Sequence, residues 1–549
     1  MSYDTYDYII VGGGIAGTVV ASRLHKRDPS LKVLLIEAGP DSSKTSLAAI
    51  TEVPTQVALL RGSELDWNNA TVPQKHLDNR EVYSGGGKAL GGGSVINYGI
   101  WARGQSTDYD IWASTVGSSR FSWEGMLPYF KKTETHYDRS ASPEYHGHHG
   151  PVSTASVSSS GRNYALRDPI REAWSELGIT QPEDINNGSP LGLAEVVEAR
   201  TKGQRVIASA AYPLTGTTVL SSTLVHRVLI TTKNGKPTAT GVELADGRTY
   251  SCTREVIISC GSFRTPQVLL LSGIGPSSQL SKHSIPQIVE NPHVGRNLWD
   301  HLAAIQQWKL QPEYAKLASS IGSPAWTDPR LETGSPIDWF TTSSVPIPDL
   351  KEALSRDLAD GQLSEDANPL LSEPRCHLGL VVQYVGMPLD GTSIITYALN
   401  LLPTSRGTVE LKSRDPNERP LIDNHHYETE ADRYRIREAV RLIYKMMNTK
   451  KGREMVIGEA VPEGRKGLSA ESSDEEIDAV LKMSAMTIQH PAGTASMGKV
   501  VDTDFKVKGV EGLRVVDASV IPTPIAFPLQ ACVYALGEQA VDIILGKQE

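Results

Sequence analysis

Residues 8–17 read YIIVGGGIAG, an apolar run that stops at a cluster of glycines. The run fits a short buried strand. Residues 18–27 can continue as a helix, and residues 32–36 (KVLLI) form a second apolar run that ends at Glu37. Strand, glycine turn, helix and strand in that order have the size of a βαβ unit. Within it Gly12, Gly14 and Gly17 stand at GxGxxG spacing around Ile15 and Ala16. Gly12 permits the tight turn, Gly14 lets the backbone approach a pyrophosphate, and Gly17 lets the helix lie close on the strand. The free N–H groups and positive end of the helix then face the phosphates. Glu37, 20 residues after Gly17 and followed by Ala38, stands where an acidic side chain accepts from ribose hydroxyls. A dinucleotide site is expected. The motif alone does not choose between FAD and NAD.

The rest of the composition narrows the class. The chain has 549 residues, enough for a sizeable core and for two or three domains or one large intertwined unit. A net charge of -9 is mild at this length and argues against nucleic acid as a partner. The four cysteines, Cys252, Cys260, Cys376 and Cys532, show no metal-ligand spacing and no disulfide pattern. The tract His146-Gly147-His148-His149 is expected in a surface loop, and no metal is expected. No apolar run approaches the ~18 residues of a membrane span. The N-terminal run leads straight into the glycine turn, so it reads as a strand rather than a signal peptide, and an intracellular, cytoplasmic setting is expected. Residues 431–448 present Ile436, Ala439, Val440, Ile443 and Met447 on one helical face. Residues 472–478 (SSDEEID) read as a helix start, and residues 254–261 as a buried strand followed by a helix entered at Thr265-Pro266. Residues 311–375, rich in Pro, Ser and Asp, read as a long loop-dominated excursion.

Four further stretches carry a family likeness. Residues 87–97 (GKALGGGSVIN), running on to WARG at 101–104, resemble the first signature of the glucose–methanol–choline (GMC) oxidoreductases, and residues 261–275 (GSFRTPQVLLLSGIG) are similar to the second. Residues 294–301 (VGRNLWDH) look like the family's VGxNLxDH element. His490-Pro491-Ala492-Gly493-Thr494 with residues 513–519 (LRVVDAS) match its C-terminal pattern. The resemblance implies an α/β protein in two parts. One is a Rossmann-like FAD-binding domain of residues 1–155, 206–301 and 480–549. The other is a substrate-binding domain of antiparallel sheet and helices, residues 156–205 and 302–479. It also implies that the loop through Leu90, Gly92, Gly93 and Ser94 crosses the FAD, with Asn97 close to the flavin. Val225 would lie near the adenine, and Gly261, Asp517 and Ala518 on the cofactor side. The bare N–H groups of residues 91–94 are suited to such a nest. No histidine stands in this loop to bond to the flavin, so the FAD is expected to be non-covalent.

In the family, a hydride passes from a carbon bearing a hydroxyl to flavin N5 while a base takes the hydroxyl proton. His490 matches the family's catalytic histidine, and a side chain that titrates near neutrality suits the task. The second residue, usually His or Asn, falls by count on Pro528, between Phe527 and Leu529. Proline brings no side-chain donor or acceptor and no N–H. A missing donor of this kind costs ~2.7–4 kcal/mol of transition-state stabilisation. Gln530 is the nearest polar side chain, in reach only if the loop is displaced. The expected activity is FAD-dependent oxidation of a hydroxyl or aldehyde hydrate, with O2 or another acceptor taking the electrons. The alternative is a non-redox lyase, cyclase or dehydratase that keeps its FAD and uses His490 for acid–base work. Phe527 and Pro528, with Trp326, Trp339 and Phe340 in the 311–375 excursion, favour a small apolar or aromatic substrate such as those of secondary metabolism. The oligomeric state is left open.

Overall fold

The computed structural model describes residues 5–358, 368–372 and 374–546. The opening apolar run lies in the strand Thr5–Val11, at the centre of a seven-stranded sheet. It runs parallel to Val33–Ile36 on one side and to Thr249–Ile258 on the other. Thr218–Leu220 continues the parallel order beyond Val33–Ile36. Ile9, Ile10, Leu34 and Leu35 are fully buried, which is why these strands read as unbroken rather than alternating apolar runs. Opposite Thr5–Val11, the strand Thr249–Ile258 serves two further partners. Its first half pairs antiparallel with Lys236–Leu244, which in turn pairs with Val225–Lys233. Its second half pairs in parallel with Leu513–Val515, so the C-terminal segment is built into the sheet that the N-terminal strand opens.

The helix after the glycine turn spans Ile15–Arg27, beginning three residues before the stretch expected from sequence. It packs against the C-terminal helix Gln530–Leu545. The approach is close: a Cβ on Gly537 would lie 2.8 Å from the Val19 Cβ, and Arg23 reaches the buried Glu538 at 2.7 Å. Gly17 makes the same point on the other side. A Cβ there would stand 2.0 Å from the Gly12 carbonyl oxygen.

A second seven-stranded sheet is antiparallel throughout. Its order is Val456–Glu459, Leu302–Leu310, Ser393–Asn400, Leu378–Gln383, Trp339–Ser343 and Gly192–Glu195, with Met486–Thr487 added beside Leu302–Leu310. The two-part α/β architecture implied by the resemblance is present. The helix Glu430–Met447 lies against this sheet and buries Ile436, Ala439, Val440, Ile443 and Met447. The helix Asp474–Ser484 starts at a Ser473/Glu476 capping box, the start expected from SSDEEID. Among the described residues, no helix is long and apolar enough to cross a membrane.

The 311–375 excursion is mostly turn and loop among its described residues, as expected, and residues 359–367 and 373 lie outside them. It supplies the strand Trp339–Ser343 and the helix Ile347–Arg356. Trp339 and Phe340 are buried because WFTTS, aromatic and β-branched, fits a covered sheet position. The helix expected at Pro266 instead begins at Gly261 and carries Pro266 in its interior. The missing N–H would have bonded to the Ser262 carbonyl four residues back. That carbonyl accepts the buried Thr494 hydroxyl instead, at 2.6 Å. Thr494→Val should therefore leave a buried acceptor unpaired and cost about 1–3 kcal/mol, with Thr494→Ser costing much less. Thermal unfolding of both variants checks this, and equal losses would refute it.

Candidate active site

Two hollows share walls beside the glycine turn. The first, of about 260 Å³, is lined by Gly12, Gly14, Ile15, Ala16, Glu37 and Ala38 from the βαβ unit, and by Gly92 and Gly93 from the crossing loop. Val225, Gly261, Asp517 and Ala518 complete it, so these expected cofactor-side residues are brought together. The cradle is shaped by absent side chains. Gly92 has φ +53°, and a Cβ there would meet the Gly14 Cα at 2.6 Å, while one on Gly93 would point into open space. Asn69, which lines this hollow, has a buried Oδ1 without a protein partner. A long, bare-backboned cleft with a spare acceptor fits a dinucleotide.

Glu37 already accepts from the Gly13 and Gly39 N–H groups, each at 2.8 Å. Burial pushes its pKa up to about 7 against those bonds. Asp517 is likewise a scaffold: it accepts from the Gly261 N–H at 2.9 Å and from the Thr265 hydroxyl at 2.6 Å. Gly17, Leu90 and Ser94 lie off the surface of both hollows. Ser94 holds the loop by accepting the Ala208 N–H at 2.9 Å and donating to the Gly91 carbonyl at 2.6 Å.

The second hollow, about 320 Å³, is bounded by His490, Pro528, Asn97 and Gln530 and, on the antiparallel sheet, by Phe340, Val381, Tyr397 and Leu399. It shares Gly93, Pro491 and Ala518 with the cleft. Pro528 faces the cavity as expected. Phe527 does not: it is fully buried behind the wall, its ring 4.9 Å from that of Phe340. Gln530 reaches the wall without any loop displacement, because it opens the C-terminal helix. Its amide is held on two sides. Its Oε1 accepts from Asn97 Nδ2 at 2.9 Å, and its Nε2 donates to the Ile100 carbonyl at 2.7 Å. Asn97 Oδ1 accepts the Gly99 N–H at 2.9 Å. Each amide nitrogen keeps a second N–H, and both side chains line the cavity that Pro528 faces. Trp326 and Trp339 do not line the cavity.

Behind His490 stands a residue whose role the sequence did not reveal. His490 Nδ1 lies 2.9 Å from Nδ1 of His301, the last residue of VGRNLWDH. Two Nδ1 atoms at that distance share one proton, so one ring donates and the other accepts. His301 is fully buried, and its Nε2 has no hydrogen-bond partner among the described residues. With Nε2–H on His301 and Nδ1–H on His490, the shared bond leaves His490 Nε2 unprotonated. Burial, then the neighbouring His301, hold the His490 pKa well below its ordinary value, and burial lowers His301 to about 4. Asp300 fixes both residues: its Oδ1 accepts the His490 N–H at 2.8 Å and the His301 N–H at 2.9 Å. Its Oδ2 accepts the Thr487 hydroxyl and Asn424.

The histidine tract also needs correction. His146 is not at the surface but buried, with Nδ1 3.1 Å from Glu134 and Nε2 2.7 Å from Asp184. Burial disfavours its charge, but these two bonds outweigh burial and raise its pKa. With His136, it brings three potential metal-ligand atoms within 4.8 Å of one another. The Glu134 carboxylate is already bound to Arg103 at 2.6 Å, an arrangement that holds the 134–150 segment together by ion pairs.

A dinucleotide cleft opening onto an apolar cavity with an unprotonated histidine nitrogen at the junction marks an oxidoreductase. The chain belongs to the GMC oxidoreductase family, whose models match residues 6–303 and 403–537. Proteins of this family bind FAD. The chain is 39% identical to a GMC-type oxidoreductase, acuG, of Aspergillus aculeatus, over 99% of both chains. It is 32% identical to an oxygen-dependent choline dehydrogenase of Burkholderia multivorans, covering 100% of this chain and 95% of that one. Among solved structures, a fungal aryl-alcohol oxidase superposes with TM-score 0.80 at 27% identity over 99% of both chains.

Asp300→Ala would leave the buried N–H groups of His301 and His490 without their acceptor, at about 1–3 kcal/mol each. The expected result is a lower thermal unfolding temperature together with slower flavin reduction at full FAD content. An active enzyme of unchanged stability would count against the anchoring role.

Proposed function

We propose that the chain oxidises the hydroxyl, or aldehyde hydrate, of a small and largely apolar organic molecule, with His490 as the base. The observation that carries this is the cavity itself: an apolar hollow that ends on His490 and shares its wall with the dinucleotide cleft at Gly93 and Ala518. FAD, when bound, supplies the hydride acceptor at flavin N5. His490 Nε2 takes the hydroxyl proton. His301 Nδ1 accepts from His490 Nδ1–H, which keeps the imidazole in the tautomer that leaves Nε2 free and supports the imidazolium formed when the proton arrives. The apolar sheet residues exclude water and so strengthen that interaction. With Pro528 offering no donor, the positive charge that develops on His490 supports the developing alkoxide. The FAD is non-covalent in this reading, since Gly91–Asn97 carries no nucleophilic ring or thiol.

The test is anaerobic mixing of the purified holoenzyme with aryl and aliphatic alcohols. The flavin bands should bleach, and His490→Ala should slow bleaching by roughly 10²–10⁴-fold. A flavin that dithionite reduces but no alcohol or aldehyde does would return the non-redox acid–base reading, which Pro528 favours.

The pH profile follows from the depressed His490 pKa. A base whose pKa is lowered stays unprotonated through neutrality, so the acidic fall in kcat/KM should come below pH 6.5. A fall centred above pH 7 would remove His490 from the role.

A further inference from the structure

The cavity has a second polar region, and it carries one sign of charge. Among the described residues that line it, Arg61 and His490 are the only side chains able to carry a positive charge, and there is no carboxylate. The Arg61 guanidinium lies over the Tyr83 ring, 5.4 Å from its centroid, and makes no hydrogen bond or ion pair among the described residues. The nearby carboxylate, Asp66, is not its partner. Asp66 is buried and already accepts from the N–H groups of Gly62, Asn68 and Gly86 and from the Tyr83 hydroxyl.

A second donor stands with it. The Tyr397 hydroxyl donates to Gln383 Oε1 at 2.9 Å, which leaves Gln383 Nε2 without an acceptor among the described residues. Gln383 lines the cavity and its Nε2 is open to it, so a ligand acceptor can take the place of water there. The Arg61 charge also bears on the Tyr397 hydroxyl, opposing the upward push of burial. Arg61 and Gln383 thus each present free N–H donors to the cavity, while the Tyr397 hydroxyl, its proton given to Gln383, orients that amide.

The sheet register fixes how far this group lies from His490. Thr487 pairs with Leu302, which pairs with Asn400, so the segment carrying His490 meets the sheet at the Asn400 row. Tyr397 is three residues along the same strand, roughly 10 Å from that row. Leu399 and Tyr397 point to the same face, and both line the cavity. The hollow therefore runs from His490 past Leu399 to the Arg61 group, a span of about one aromatic ring with a substituent at each end.

From this arrangement we infer that the substrate carries a carboxylate at the end remote from the hydroxyl, bound by Arg61 and Gln383. A planar fork of donors matches a carboxylate, and the absence of a competing acid from the wall leaves that fork available. The cavity is equally unsuited to a quaternary ammonium, which would meet a cation and find no counter-charge. The inference rests on the cavity being the site of hydroxyl oxidation, but its binding part can be tested separately.

The probes are 4-(hydroxymethyl)benzoate and its methyl ester, given to the holoenzyme of the wild type, Arg61→Gln and Arg61→Lys. Terephthalate, which has no hydroxyl to oxidise, is titrated in parallel and read by perturbation of the flavin spectrum. In the wild type, kcat/KM should favour the acid over the ester, and added salt should erode the preference. Arg61→Gln should lower the acid-to-ester ratio roughly 10- to 100-fold, chiefly through KM, with Arg61→Lys in between. Terephthalate affinity should fall in the same order. Equal kcat/KM for acid and ester in the wild type, or a ratio unmoved by Arg61→Gln, would overturn the inference while leaving hydroxyl oxidation standing. Arg61-dependent terephthalate binding without flavin reduction by either benzyl alcohol would do the reverse.

Discussion

The Asp300 carboxylate is the point on which the site hangs. It sits where the antiparallel sheet begins, one residue before His301 and two before the strand Leu302–Leu310. From there it holds the backbone of His301 in its own segment and of His490 in a segment 190 residues later. The Thr487 hydroxyl joins at the same carboxylate, and Thr487 is itself paired with Leu302 in the sheet. The histidine is thereby tied to the sheet that walls the substrate cavity, while Pro491 and Ala518 continue into the cleft beneath the glycine loop. Burial works against the arrangement by pushing the Asp300 pKa up to about 7, and the hydrogen bonds from Thr487, His490, His301 and Asn424 pull it back. A buried acid is retained here because what it positions has to be exact to within a fraction of an ångström.

The two histidines show how a neutral base is built without a carboxylate beside it. A carboxylate partner would raise the imidazole pKa and leave His490 charged near neutrality. His301 cannot do that. It is fully buried and held to a pKa of about 4, so it accepts the Nδ1 proton of His490 without adding a charge. The arrangement orients the base while keeping it unprotonated.

The dinucleotide half of the fold was legible from residue 8 onward because its signals are local. A strand, a turn that only glycine fits and a helix follow one another within 20 residues. The antiparallel half was legible only through family likeness, since its strands pair across long gaps. WFTTS at 339–343 looked like part of a loop because Pro, Ser and Asp surround it, and only its neighbours in the sheet make it a strand. Pro266 misled in a different way. A proline ordinarily marks the first turn of a helix, but here Thr494 supplies the donor that the helix backbone cannot. His301 was visible as a motif residue, yet nothing in VGRNLWDH says that its ring meets His490. His146 read as surface because of its polar neighbours, and its burial depends on Glu134 and Asp184, which lie in other segments.

Pro528 draws these strands together. Its pyrrolidine sits just before the C-terminal helix, where the Gln530 amide, on the cavity wall, binds Asn97 and the Ile100 carbonyl. That lock pins Asn97 to the helix that packs on Ile15–Arg27, the helix of the dinucleotide turn. A polar side chain at 528 would add a donor to the cavity but would also offer Asn97 or Gln530 a competing partner. Proline offers neither, so the wall opposite His490 remains apolar and the Asn97–Gln530 pair is undisturbed. Besides the Asn97 and Gln530 amides, the cavity then holds one unprotonated nitrogen on His490 and the donors of Arg61 and Gln383 about a ring's length away. A site arranged in this way lacks a donor at 528 and gains from holding the molecule at its far end. Binding energy gained remote from the reacting carbon serves to place the hydroxyl against the base, which is where a site with a single proton acceptor has most to gain.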